Sequence, residues 1–250
     1  MDGQQREAAV EQTAIDRRQR QREATQAEIR QTARQLLVES GPEAMSVSAI
    51  ARRMGLSGPA IYRYYGSHEA LIGAVIADLF KEVTEAIERA RDAAEPDSPG
   101  ERLLAMSRGL RTWATSQTVE FRLLFAAPIP EANRRADSER QQAGEEFDQV
   151  FLREIERLWA ERPFPVPDLD GLDPALRSQV LAYTQRKRTT LPPEAVQVFL
   201  TCWTRLYGLL VMEALDQLSF AYSDTEPVFE ACLADISGLL GIDGRRQPGQ

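Results

Sequence analysis

The residues best equipped for polyanion chemistry are arginines gathered near one end of the chain. Arg17, Arg18, Arg20 and Arg22 fall within six positions, and between Arg17 and Gly66 nine Arg stand against four Glu, a local charge of +5. The 250 residues together carry −8, so the remainder holds −13. Such a split marks one end as the part that meets polyanions, while an acidic body repels them. Catalytic chemistry is poorly supplied by comparison. His68 is the single histidine, which excludes His-based catalysis or a His-containing metal site in the larger remainder. No Gly-rich phosphate loop with its lysine occurs, and no Gly-x-Ser-x-Gly elbow. Carboxylates are scattered along amphipathic faces, where solvation explains them. Cys202 and Cys232 lie far apart among apolar neighbours and read as small buried hydrophobes in a reducing cytosol. The expectation is a non-enzyme with no cofactor and no metal.

The elements that must position these residues are helices. With 43% apolar and 27% charged residues, the chain suits one sizeable globular domain or two modest ones. Its start, MDGQQREAAVEQ, lacks the apolar core of an export signal. The longest strongly apolar run, Leu206 to Met212, is far short of the roughly 20 residues of a membrane span, so a cytoplasmic protein is expected. Proline punctuates the chain, and helix-length stretches lie between: 67–93 with Ser67 as N-cap, 98–116 opened by Ser98 and Pro99, 119–126, 138–161, 174–188, 193–219, and 225–240 closed by Gly241. Residues 162–174 form one clear internal loop. Alternating strand patterns are absent.

Within MSVSAIARRMGLSGPAIYRYYGSHEALI, residues 45–72, Ser46 can cap a short helix whose Ile50, Ala51 and Met54 share a face. Gly55 supplies a left-handed end, Leu56 packs inward, and Ser57 caps a second short helix that tolerates Pro59 in its first turn. Ile61 and Tyr65 give that helix its inner face; Gly58, Ala60, Tyr62, Arg63 and Tyr64 point elsewhere. Two short helices joined by a Gly turn form a helix-turn-helix, whose second helix enters the major groove. By periodicity alone a plain helical hairpin fits equally well.

The residues themselves favour the first reading. Ser46, Ile50, Ala51, Gly55, Leu56, Ser57, Tyr62, Tyr65 and Leu71, preceded by Ile29, Ala33, Leu36, Leu37 and Gly41, resemble the DNA-binding domain of the TetR family of bacterial transcription regulators. Tyr65 stands where that family usually has Phe, and His68 where it has Lys. The resemblance implies phosphate contacts from Ser46, Ser48 and Arg53 and a backbone contact from the Tyr62 hydroxyl, which position without reading sequence. It further implies DNA contacts from Ser57 and Tyr64, groove-facing Gly58, Pro59 and Ala60, and Arg63 as the candidate for a bidentate guanine contact. A contact from His68 would be weaker than a lysine's and sensitive to pH; equal pH dependence in His68→Gln and wild type between pH 6 and 8 would refute it. The Arg17–Arg22 stretch either extends the first helix, forms an arm along DNA, or is a solvated tail.

In the acidic remainder, aromatic residues at helical spacing are ordinarily core. The family resemblance instead implies a helical domain enclosing a small-molecule cavity, lined by Trp113, Phe121, Phe125, Phe147, Phe151, Trp203 and Tyr207. FRLLFAAPIPEANRR, 121–135, and WTRLYGLLVMEAL, 203–215, resemble a TetR C-terminal subclass marked by Trp-x-x-x-His-Gly, with Tyr207 in place of the His. Glu213, at the edge of the face shared by Trp203, Tyr207 and Leu210, could bind a polar or cationic ligand group; pairing with an arginine is the favoured expectation. The last two helices, 193–219 and 225–240, are those with which the family forms a homodimer.

The expectation is thus an all-α protein: an Arg-rich extension at 1–23, a helix-turn-helix DNA-binding domain at 24–70, a ligand-binding and dimerisation domain at 71–242, and a tail at 243–250. Its function would be a dimeric repressor on palindromic double-stranded DNA, released by a small-molecule effector. The competing reading is a helical interaction protein without sequence-specific DNA binding.

Overall fold

The computed structural model describes residues 2–94, 98–128, 133, 135 and 138–242, with side chains from residue 17 onward; the expected tail at 243–250 lies outside them. Regular structure among the described residues is helical: α1 (Asp2–Ser40), α2 (Val47–Met54), α3 (Gly58–Tyr62), α4 (His68–Asp92), α5 (Pro99–Ser116), α6 (Thr118–Phe121), α7 (Glu139–Glu161), α8 (Pro174–Lys187), α9 (Pro193–Ala214) and α10 (Glu226–Leu239). No strand forms among them. Helix starts follow local chemistry. Pro99, Pro174 and Pro193 occupy first positions, where a missing N–H breaks no bond. Ser98 accepts from the Glu101 amide, and Ser67 from that of Ala70. The Arg17–Arg22 stretch extends the first helix, since α1 runs through it without a break.

The chain divides into two compact units, Met1–Asp78 with Pro128–Gln142, and Leu79–Ala127 with Ala143–Gln250. In the first, Ile29, Ala33 and Leu37 of α1, Ile50 and Ala51 of α2, Ile61, Tyr65, and Leu71 and Val75 of α4 are buried. Gly55 takes φ 66°, ψ 25°, a left-handed conformation that lets α2 stop and α3 turn away at no steric cost. Tyr65 uses its hydroxyl: it donates to the Gln26 carbonyl at 3.1 Å and accepts from Arg30 at 3.0 Å. Arg30 also pairs with Asp78. Asn133 is buried and donates to the Glu69 carbonyl at 3.2 Å. It sits so close to Gly73 that a Cβ there would come within 2.4 Å of its Oδ1.

Three local expectations need correction here. Leu56 does not pack inward; it is 37% exposed, because its amide bonds the Ala51 carbonyl in the turn and leaves the side chain at the surface. Ser57 has the extended backbone of an N-cap but makes no side-chain capping bond. The second helix is also shorter than the pattern suggests, with Arg63 as its C-cap and Tyr64 beyond it.

In the second unit, the 119–126 stretch splits into α6 and a π-turn, Arg122–Ala126, closed by the Ala127 amide on the Arg122 carbonyl. α9 ends at Ala214, five residues short of the expected 219. Asp216 takes φ 56° and the Gln217 amide bonds the Met212 carbonyl, a left-handed helix end built without glycine. The Arg122 guanidinium donates to the Ala214 carbonyl. These tertiary and turn bonds left no glycine signal to read. α9 is long and apolar enough, by length and composition, to cross a membrane, which the contiguous-run argument missed because Arg205 and isolated Thr and Gln residues interrupt its apolar residues. Eight of its residues are buried inside the fold, as in the core helix of a globular protein. Buried charge is paired: Glu154, 1% exposed, meets Arg102 at 2.5 Å and Arg157 at 3.0 Å.

Candidate functional site

In the first unit, α2, α3 and the start of α4 surround one open groove. Ser46, Ser48, Gly58, Tyr62 and His68 border it, with Arg52 and Leu56 on its walls. Ser46 Oγ accepts from the Ala49 amide at 3.3 Å and lies 3.3 Å from Ser48 Oγ, so capping fixes a hydroxyl pair at the groove's rim. Tyr62 is 49% exposed on the last turn of α3. Gly58 and Ala60 are half-buried and Pro59 exposed, a small-residue surface that admits a close neighbour. Ser57 and Arg63 are exposed and Tyr64 half-buried.

Two of the expected contact residues are already engaged. Arg53 forms a bidentate pair with Glu39 at 2.8 and 2.7 Å. The bonds from Arg53 hold the Glu39 carboxyl below its usual range. Arg53 must release this partner to reach a phosphate. His68 Nε2 donates to the Met45 carbonyl at 2.8 Å; since a carbonyl only accepts, Nε2 carries the hydrogen. Arg63 and Tyr64 face a different groove, shared with α1, and Arg52 belongs on the first although residue patterns did not single it out. Its only signal was an exposed cation one position before Arg53.

In the second unit, Phe121, Phe125, Phe147, Phe151, Trp203 and Tyr207 come together as expected, and Trp113 does not. The Trp113 indole N–H instead donates to Glu82 at 3.0 Å, and Glu82 also accepts from Gln117. Phe80 joins the cluster in its place, 5.7 Å from both Phe125 and Phe147 between ring centres. It went unnoticed because the four-residue stripe of α4 passes through its neighbour Leu79. The rings do not line an open cavity. They fill it, with centroids 4.7 to 6.1 Å apart in tilted and edge-to-face pairs, which gain both apolar burial and quadrupole contact. The Tyr207 hydroxyl donates to the Phe125 carbonyl at 2.5 Å. Beside Phe151 and Trp203 a space of about 30 Å³ remains, walled otherwise by Phe199, aliphatic side chains, Ser107 and Cys202. Burial pushes the Cys202 thiol up to about 12, consistent with an inert apolar role.

Glu213 pairs with an arginine as expected. Arg111 grips both its oxygens at 3.1 and 2.8 Å, also reaches Glu226, and lies 4.9 Å over the Phe229 ring. Thr225 donates to Glu213 at 2.5 Å, so this carboxylate joins α5, α9 and the start of α10. Among the described residues no group of three His, Cys, Asp or Glu is placed to hold a metal ion.

A helix-turn-helix followed by a helical body defines a class of DNA-directed regulators, and comparison places the chain within it. Residues 29–75 match the family of bacterial regulatory proteins of the tetR type, and residues 103–236 match the tetracyclin repressor-like C-terminal domain. The chain belongs to the TetR family. The HTH-type transcriptional regulator Rv1816 of Mycobacterium tuberculosis is 31% identical over 116 residues, 46% of this chain and 50% of that protein; the chain spans about half the length of the curated relatives it matches. The crystal structure of the regulatory protein SCO4313 is 28% identical with a TM-score of 0.68, covering 88% of this chain and 98% of that one. Thermus thermophilus FadR, a TetR transcriptional repressor solved with lauroyl-CoA, shares the fold at 14% identity and a TM-score of 0.52, covering 90% and 97%.

Proposed function

We propose that the chain is a DNA-binding transcriptional regulator, acting in the cytoplasm as a homodimeric repressor and not as an enzyme. The observation that carries this reading is the groove of the first unit, where the Ser46–Ser48 hydroxyl pair, Tyr62 and small α3 residues surround an accessible surface. Ser46, Ser48 and Tyr62 hold phosphates there, with Ser57 and His68 at the edge and Arg53 once released from Glu39. Gly58, Pro59 and Ala60 let α3 approach base edges, and Arg63 reads a guanine. α9 and α10 pair with their copies in a second subunit, which sets two α3 helices about 34 to 36 Å apart, one turn of DNA, and calls for a palindromic site.

The effector enters the ring cluster of the second unit. Phe121, Phe125, Phe147, Phe151, Trp203 and Tyr207 part around an apolar molecule, starting from the small space beside Phe151 and Trp203. Thermus thermophilus FadR, which shares the fold, was solved in complex with lauroyl-CoA, which supports a small-molecule effector without placing it. The effector acts by binding the DNA-released conformation more tightly than the DNA-bound one. Selection of duplexes from random DNA with the full chain tests the reading. A recovered palindrome that binds far more tightly than random duplex supports it; no enrichment over random duplex refutes it.

A further inference from the structure

The DNA-facing surface of the first unit has a second part that the helix-turn-helix does not supply. A separate groove lies between the middle turns of α1 and the end of α3, bounded by Arg18, Gln19, Gln21, Arg22, Arg63 and Tyr64. Three guanidinium groups and no carboxylate border it. Its construction is specific. The Arg22 guanidinium donates to the Arg63 carbonyl at 3.0 Å and lies 5.6 Å over the Tyr64 ring. Gln26, one turn further along α1, donates to the Tyr64 carbonyl at 3.3 Å. The helix end of α3 leaves carbonyls without intrahelical partners, and α1 satisfies the two that follow it. Arg18 lies one turn before Arg22 on the same face, and Gln19 is tied to Glu23 at 2.7 Å. The middle of α1 is therefore helical and tied to the end of the recognition element through Arg22 and Gln26.

We propose that this groove takes a phosphate backbone of double-stranded DNA outside the segment read by α3, with Arg18 as the direct phosphate contact and Arg22 as the residue that ties α1 to Arg63. The inference rests on the DNA-binding reading above. Duplex DNA is the fitting occupant because the groove is purely cationic and continuous, through Arg63, with the α3 surface. A contact formed this way adds affinity without adding sequence preference. It also distinguishes cations by position. Arg17 is about 100° round the helix from Arg18 and does not border the groove.

The test uses the full chain and a duplex recovered from random DNA, with affinity measured from about 50 to 200 mM salt. If wild type enriches no duplex, the regulator reading fails, and this one with it. If wild type binds, Arg18→Gln is expected to reduce the slope of log affinity against log salt by about 0.9 for each subunit bound, with the base preference unchanged. Arg18→Lys restores the slope, Gln21→Arg steepens it, and Arg17→Gln leaves it as in wild type. An Arg18→Gln slope equal to wild type, or an equal loss in Arg17→Gln, overturns the groove while leaving the regulator reading intact. Circular dichroism of each variant, expected to match wild type, keeps loss of fold from imitating loss of contact.

Discussion

Tyr62 in the first unit is 49% exposed, whereas Phe121 and Phe147 in the second are each 1% exposed. Both kinds of aromatic residue stand out in the chain as candidates for contact with a partner, yet the two units use them differently. In the first, polar and aromatic groups lie on a thin shell outside a compact core of Ile29, Leu37, Ile50, Ile61 and Leu71, and the groove they border is open, with Arg53 held by Glu39 beside it. In the second, the candidate contact residues are themselves the core. A protein surface that binds a rigid polyanion benefits from preorganised donors. The rings of the second unit close on one another, keeping dispersion contacts that an open apolar cavity would forfeit.

The widest expected gap between the units comes from truncating a ring. Phe147→Ala removes the hub that touches Phe80, Phe125, Phe151 and Trp203, and should cost about 3 to 5 kcal/mol of stability. Denaturant unfolding measures this, and a loss below 1 kcal/mol would mean that the cluster is loosely packed and already open. Arg63→Ala, by contrast, should weaken DNA binding by about 1 to 3 kcal/mol while the unfolding midpoint stays put. A midpoint falling with the affinity would erase the distinction between ready surface and core.

Smaller effects refine the picture. Tyr65→Phe returns the first unit to the family's more usual residue and removes a hydroxyl that bonds Gln26 and Arg30. It should cost about 1 kcal/mol, and affinity for DNA should survive, since the ring is inward. The smallest effect concerns Glu230 on α10, whose carboxyl is held below its usual range by its bonds from Arg108. Its folded value is depressed, so the stabilisation is present above the ordinary carboxylate range and disappears as pH falls through the folded value. Glu230→Gln should lower neutral-pH stability by about 0.2 to 1 kcal/mol and flatten the acid limb below pH 4. An acid limb unchanged by the substitution would assign that pH dependence to other groups.

Legibility followed the range of the interactions. Ser46, Gly55, Ser67, Ser98 and Gly241 act on backbone within a few positions, and each appears in the structure where the pattern put it. The inward face of Ile61 and Tyr65 was equally readable from a spacing of four. The end of α9 was not. It depends on Asp216 adopting a left-handed conformation and on Arg122, 92 positions away, reaching the Ala214 carbonyl. Trp113 misled for a related reason: its helical spacing resembles that of the ring cluster, but a partner at Glu82 draws its polar edge elsewhere.

The amino-acid sequence by itself determined the helical class and the charge division of +5 against −13, because periodicity, capping and net charge are local or additive properties, while the helix-turn-helix was singled out by its residues' resemblance to a known DNA-binding domain. Tertiary structure alone decided the rest. It joined Arg22 to the end of α3 across 41 positions, tied Arg53 to Glu39, and closed Phe80 with six other aromatic rings into a filled core. These outcomes depend on which side chains meet after the backbone is folded, and pairing at that distance leaves no trace in spacing along the chain.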